Sequence, residues 1–120
     1  MAHQIVWCDI PVKDLDRAIR FYAAVLGAPV KKATLGEISL GLLPFGEGEV
    51  GACLYVADEN KPSLSGPRIY LNVQGRLDAA VAAVAPNGGK VVEPKKSIAP
   101  HGFRAVVDDS EGNRIAFHSS

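Results

Sequence analysis

An excess of either charge is missing from this chain. Thirteen lysines and arginines stand against thirteen aspartates and glutamates, for a formal net charge of zero. Neutralising phosphates takes a basic excess, so no nucleic acid and no anionic membrane is expected as a partner. The basic pairs Lys31-Lys32 and Lys95-Lys96 suit solvated strand ends. Long apolar runs are missing too: polar residues interrupt each one well before the roughly 18 residues that cross a bilayer. The opening Met1-Ala2-His3-Gln4-Ile5 has neither the basic stretch nor the apolar core of a signal peptide. A cytoplasmic protein is the expectation. Cysteine is scarce. Cys8 and Cys53 sit in apolar, strand-like runs without CxxC or Cys/His spacing, and read as buried free thiols. Also absent are a GxSxG turn, a P-loop, a dinucleotide glycine fingerprint and metal-binding histidine pairs at helical spacing. The glycine-rich loop Pro44 to Glu49 is acidic and would repel phosphate.

What remains is a chain of 120 residues with room for one domain and one core. Ile5-Val6-Trp7-Cys8-Asp9-Ile10 is rich in β-branched and aromatic residues and stops at Pro11, so it reads as a strand. Asp14 can cap a following helix, with Asp16 in its first turn. Leu15, Ala18, Ile19, Tyr22, Val25 and Leu26 recur at three- and four-residue spacing and make one helical face apolar. Gly27 suits the left-handed turn that ends a helix, and Pro29 prevents its continuation. Extended runs follow at Val30 to Leu35, Glu37 to Leu43 and Val50 to Ala57. The segment 58–67 is polar, holds two prolines, and reads as a linker.

After the linker the pattern restarts. Arg68 to Val73 reads as a strand; Leu77, Ala80, Val81 and Val84 mark a second amphipathic helix ended by Pro86-Asn87-Gly88-Gly89. Extended runs cover Lys90 to Glu93, Phe103 to Val107 and Arg114 to His118. Leu15-Asp16-x-Ala18-Ile19, then Gly27 and Val30, recurs as Leu77-Asp78-x-Ala80-Val81, then Gly89 and Val92, at a constant offset of 62 residues. Both copies keep the strand–helix–three-strand order, which indicates duplication. One such unit cannot bury both its sheet and its helix. Two are expected to join as an α+β fold in which two βαβββ modules form one curved mixed sheet around a cavity, with the helices on the convex face.

The run Asp9-Ile10-Pro11-Val12-x-Asp14-Leu15-Asp16-x-Ala18-x-x-Phe21-Tyr22-x-x-Val25-Leu26-Gly27 resembles the opening signature of the vicinal-oxygen-chelate (glyoxalase/bleomycin-resistance/dioxygenase) superfamily. Asp109-Ser110-Glu111-Gly112-Asn113-Arg114-Ile115 is similar to its closing turn and last strand, with Ser110 in place of the usual proline, and Gly88-Gly89-Lys90-Val91 resembles its second-half turn. The resemblance covers essentially the whole chain. It implies one glyoxalase-like domain over residues 1–120, with module 1 at about 4–57, the linker at 58–67 and module 2 at about 68–119.

The resemblance also implies, for part of the superfamily, a divalent metal held by His, Gln or Glu on the first, fourth, fifth and eighth strands. Carried onto this chain, those positions fall on Trp7, Cys53, Arg68 and Ala116. Indole and methyl groups do not coordinate, a guanidinium stays protonated, and one thiol does not suit a hard ion. No metal and no cofactor is therefore expected.

Strand alternation then assigns faces. With Trp7 facing the cavity, so should Ile5 and Asp9, while Val6, Cys8 and Ile10 face the helices. Cys53 and Tyr55, Arg68, Tyr70 and Asn72, and Arg114, Ala116 and His118 follow on the other strands, with Leu54 and Val56 on the helix side. The expected ligand-binding residues are Trp7, Asp9, Cys53, Tyr55, Arg68, Tyr70, Asn72, Arg114 and His118. Aromatic walls with a few polar groups describe a small-molecule pocket. Plainer readings stand beside it: Asp9 and Arg68 can pair with each other, Trp7 and the tyrosines can be packing residues, and Cys53 can be inert. His3 and His118 together could hold a relocated metal, and His101 could reach the cavity mouth as an acid or base or stay a loop histidine. The resulting expectation is a metal-independent protein that binds a small organic molecule, with catalysis open. A metal enzyme with a relocated site and a drug-sequestering resistance protein are the rivals. A homodimer is expected from the superfamily.

Overall fold

The structure, a computed structural model, describes residues 3–120. Module 1 runs β1 (Trp7–Pro11), α1 (Leu15–Leu26), β2 (Lys31–Leu35), β3 (Ile38–Leu42) and β4 (Gly51–Tyr55). Module 2 repeats the order as β5 (Tyr70–Asn72), α2 (Leu77–Val84), β6 (Lys90–Ser97), β7 (Phe103–Asp108) and β8 (Arg114–Ser119). Each module is a mixed sheet of matching topology, β1-β4-β3-β2 and β5-β8-β7-β6, whose first and last strands pair in parallel. The two-module α+β architecture is as expected. The single continuous sheet is instead two four-stranded sheets, because β1 pairs only with β4 and β5 only with β8.

Local chemistry explains the element ends. Asp14 Oδ1 accepts the Arg17 N–H at 3.0 Å and caps α1, which ends on Gly27 at φ 66° with its N–H on the Ala23 carbonyl. The Arg76 guanidinium donates to the Val25 carbonyl, so a residue at the start of α2 closes the end of α1. Strand β6 continues four residues past the expected Glu93 in spite of Pro94. It lies at a sheet edge with register shifts on both sides of Glu93, where a missing N–H is tolerated.

The helices pack against one shared core. Ile10, Phe21, Tyr22, Val25 and Leu54 from module 1 meet Ala80, Val84, Val107, Ile115 and Phe117 from module 2, each nearly inaccessible to water. Val6 and Val56, assigned to the helix side by alternation, are exposed; each stands one residue beyond the end of its strand.

The closing turn joins the modules. Tyr22 donates from its hydroxyl to Asp109 Oδ2 at 2.6 Å, and Asp109 Oδ1 accepts the N–H groups of Glu111 and Asn113. Asn113 Nδ2 reaches the Pro11 carbonyl at 2.8 Å. Burial and the Asp109 carboxylate hold the Tyr22 hydroxyl in its protonated form. The Glu111 carboxylate is fully buried and accepts four donors from module 1: the N–H groups of Lys13 and Asp14, and Nε and Nη2 of Arg17. Ser110, at the proline position of the resemblance, adds a hydroxyl to Glu111 Oε2. The two ends of the chain's signature therefore touch each other.

Candidate functional site

Away from the helices, the sheets present the residues that alternation assigned to a cavity. On module 1, Trp7 lies across β4 opposite Gly51, where an added Cβ would stand 2.5 Å from the indole, and packs edge-on against Phe45 at 5.5 Å. Its Nε1 donates to Asp9 Oδ1 at 2.8 Å. The Cys53 thiol donates to the same oxygen at 3.3 Å. Asp9 is thus held from both sides at Oδ1 and open at Oδ2. Burial, with the Asp9 bond and charge behind it, pushes the Cys53 thiol up to about 11, and burial followed by the Asp9 charge raises Cys8. Both cysteines are free. At pH 8 each should be alkylated markedly more slowly in the native than in the denatured protein, Cys53 the slower, as mass spectrometry of timed quenches would read; rapid labelling of Cys53 would contradict its burial.

On module 2, Tyr70 and Asn72 are exposed and cross-strand from Ala116 and His118. The Tyr70 hydroxyl accepts Arg104 Nη1 at 2.6 Å, and Arg104 Nε donates to Glu93 Oε1 at 3.2 Å. The Tyr70 bond leads the effects that raise the Arg104 pKa further above its ordinary value. Arg104 and Glu93 were not among the expected residues. Alternation along Phe103–Asp108, with Ala105 and Val107 in the core, would have placed Arg104 on this face. Phe45 carries no such signal, as it stands in an aperiodic loop.

The nine expected residues do not converge. Asp9 and Arg114 line one cleft of about 190 Å³ beside the linker. Tyr70 and Asn72 line another of about 380 Å³. Tyr55 turns its hydroxyl to Asn60 Nδ2 of the linker at 2.8 Å. Arg114 is bound by both Asp108 oxygens, at 2.8 and 3.2 Å. His118 donates from Nε2 to the His101 carbonyl at 2.6 Å, which holds its ring beside the loop. Among the described residues Arg68 makes no ion pair, so the considered Asp9–Arg68 pair does not form.

A divalent metal does not fit the positions that the resemblance gives it. Trp7 and Arg68 offer only donors, Ala116 is a fully buried methyl, and Cys53 is held as a thiol. Among the described residues no three His, Cys, Asp or Glu side chains are grouped to hold an ion elsewhere.

The comparisons with known proteins agree with this architecture. The sequence profile of the glyoxalase/bleomycin resistance protein/dioxygenase superfamily matches residues 4–117, and the chain belongs to that superfamily. It is 31% identical over 121 residues to a glyoxylase-like domain-containing protein of Didymella fabae, covering 94% of this chain and 91% of that one. Among solved structures, a glyoxalase/bleomycin resistance protein from Albidiferax ferrireducens T118 superposes with a TM-score of 0.75 at 21% identity, over 98% of this chain and 99% of that one. A fosfomycin resistance protein from Listeria monocytogenes gives 0.69 at 14% identity, over 100% and 93%. At these identities the structural likeness is one of fold.

Proposed function

We propose that this protein binds a small organic molecule on the helix-free face of its sheets, without a metal. One observation carries the reading: the positions that would hold a metal carry Trp7, Cys53, Arg68 and Ala116, and the first two lock Asp9 with one oxygen still open. An aromatic ring beside an oriented carboxylate suits a ligand with an apolar body and a hydrogen-bond donor. Arg104, fixed by Tyr70 and Glu93, supplies a cation on the same face of module 2.

The partner in assembly is a second copy. The chain exposes 7122 Å², against about 6,200 Å² for a compact monomer of this mass. The chain also leaves Ile5, Val6, Trp7, Phe45 and Tyr70 exposed, apolar surface that a second copy would cover. Free thiols in a chain with two cysteines fit a reducing, cytoplasmic setting.

Trp7 is the single tryptophan, so its fluorescence reports binding directly. With chelator present, a screen of small acids, amines and aromatic drugs should find a ligand that shifts it saturably. Structural neighbours named for bleomycin and fosfomycin resistance make those two drugs the first to try. Asp9→Asn should weaken the hit by about tenfold, the worth of one charge-assisted hydrogen bond. A screen in which nothing perturbs Trp7, or a hit indifferent to Asp9→Asn, would overturn the reading.

A further inference from the structure

We propose a second binding site, in the seam between the two sheets, for a neutral apolar molecule that carries an amide. The seam lies between two unpaired edges, because no strand hydrogen bond joins β1 to β5. In a parallel pair, alternate residues turn their N–H and C=O toward the neighbour. Ala116 donates to the Ile69 carbonyl and Val73 to the His118 carbonyl, so Ile69, Leu71 and Val73 serve β8. The backbone groups of Tyr70 and Asn72 point the other way, into the seam. There they offer a donor and an acceptor two residues apart, the pattern that an added amide backbone pairs with.

The space beside that edge is a cleft of about 380 Å³, within the range of small-molecule pockets. Its walls come from both modules: Cys8, Leu26, Val50 and Ala52 from the first, Ile69 to Asn72 from the second. Cys8, Leu26, Ala52 and Ile69 are half-buried and pack on the core, so the cleft floor is apolar. No charged side chain lines it. An ionised ligand would lose its hydration there without a counter-charge, which selects a neutral one. An apolar body covers the walls, and an amide satisfies the Tyr70 and Asn72 edge.

The test is a titration of the whole chain with N-acetyl-L-leucinamide, followed by backbone amide NMR. The amide signals of Tyr70 and Asn72 should move saturably, with Kd on the order of 1 mM for so small a ligand. The probe should also slow methyl methanethiosulfonate labelling of Cys8. 1-Hexanol, with an apolar body and no amide, should bind at least tenfold more weakly. Val50→Phe, at an exposed rim position, should fill the cleft mouth and block the site without adding a second tryptophan, and leave the melting temperature and the Trp7-reported ligand response unchanged. Three results would each overturn the proposal: no movement of those two signals, hexanol binding as tightly as the amide, or Val50→Phe binding like the parent.

Discussion

Glu111→Ala is expected to lower the unfolding free energy by about 3 kcal/mol. The loss comes mainly from the Lys13 and Asp14 N–H groups, which would keep no acceptor at a partly buried helix entrance, and such orphaned groups cost about 1–3 kcal/mol each. Arg17 would be left without its partner but can turn to water. Burial by itself pushes the Glu111 carboxyl up. The Arg17 bond, the Asp14 N–H, the Ser110 hydroxyl and the Lys13 N–H together outweigh it and bring the group from 4.5 down to about 2. A folded pKa below the unfolded one means that this stabilisation is complete above pH 4.5 and disappears as pH falls toward 2. The shift corresponds to about 3 kcal/mol. Urea unfolding of the parent and Glu111→Gln at pH 7, 5, 4 and 3 should show a gap that closes across the lower values. A gap independent of pH would mean that Glu111 acts by shape and not by charge.

Gly89→Ala should be comparably damaging, at about 3 kcal/mol, the upper end for overpacking. A Cβ there would stand 2.5 Å from the Phe21 ring, 2.6 Å from the Asp108 carbonyl oxygen and 2.9 Å from Val84. Phe21 and Val84 are completely buried, and the carbonyl belongs to β7, so nothing can move aside cheaply. Its repeat partner differs. At Gly27 the obstruction is the flexible Arg76 side chain, and the positive φ is what demands glycine. Thermal unfolding should separate Gly89→Ala from the parent by several degrees; an unchanged midpoint would contradict the packing described around Phe21.

The fold was legible because its signals are periodic. The α1 stripe with Asp14 before it and Gly27 after it, and the recurrence 62 residues later, needed only local rules. The closing turn was recognisable as a motif, but its work was not. Glu111 acts on Lys13, Asp14 and Arg17 nearly a hundred positions away, and nothing local in a turn says what it will reach. The seam was hidden for a related reason: hydrophobic patterning sets which residues face a layer, not whether two edge strands come within hydrogen-bonding distance.

The candidate site was legible face by face and not as a cluster. Alternation puts Trp7, Asp9 and Cys53 on one face, and the bonds that Trp7 and Cys53 both make to Asp9 follow from parallel pairing of neighbouring strands. It could not foresee that Arg114 would be taken by Asp108, Tyr55 by Asn60, or that Arg104 would hold Tyr70. Those choices depend on side-chain reach, which a period of two residues does not encode.

The most direct measurement is the metal content of the purified protein, taken by mass spectrometry after growth with zinc, nickel, iron and manganese supplied. Because Trp7, Cys53, Arg68 and Ala116 cannot form a ligand set, the ions found should fall far short of one per chain, and ligand-induced change in Trp7 fluorescence should survive chelation. One tightly held divalent ion per chain, with ligand binding lost on its removal, would contradict the account.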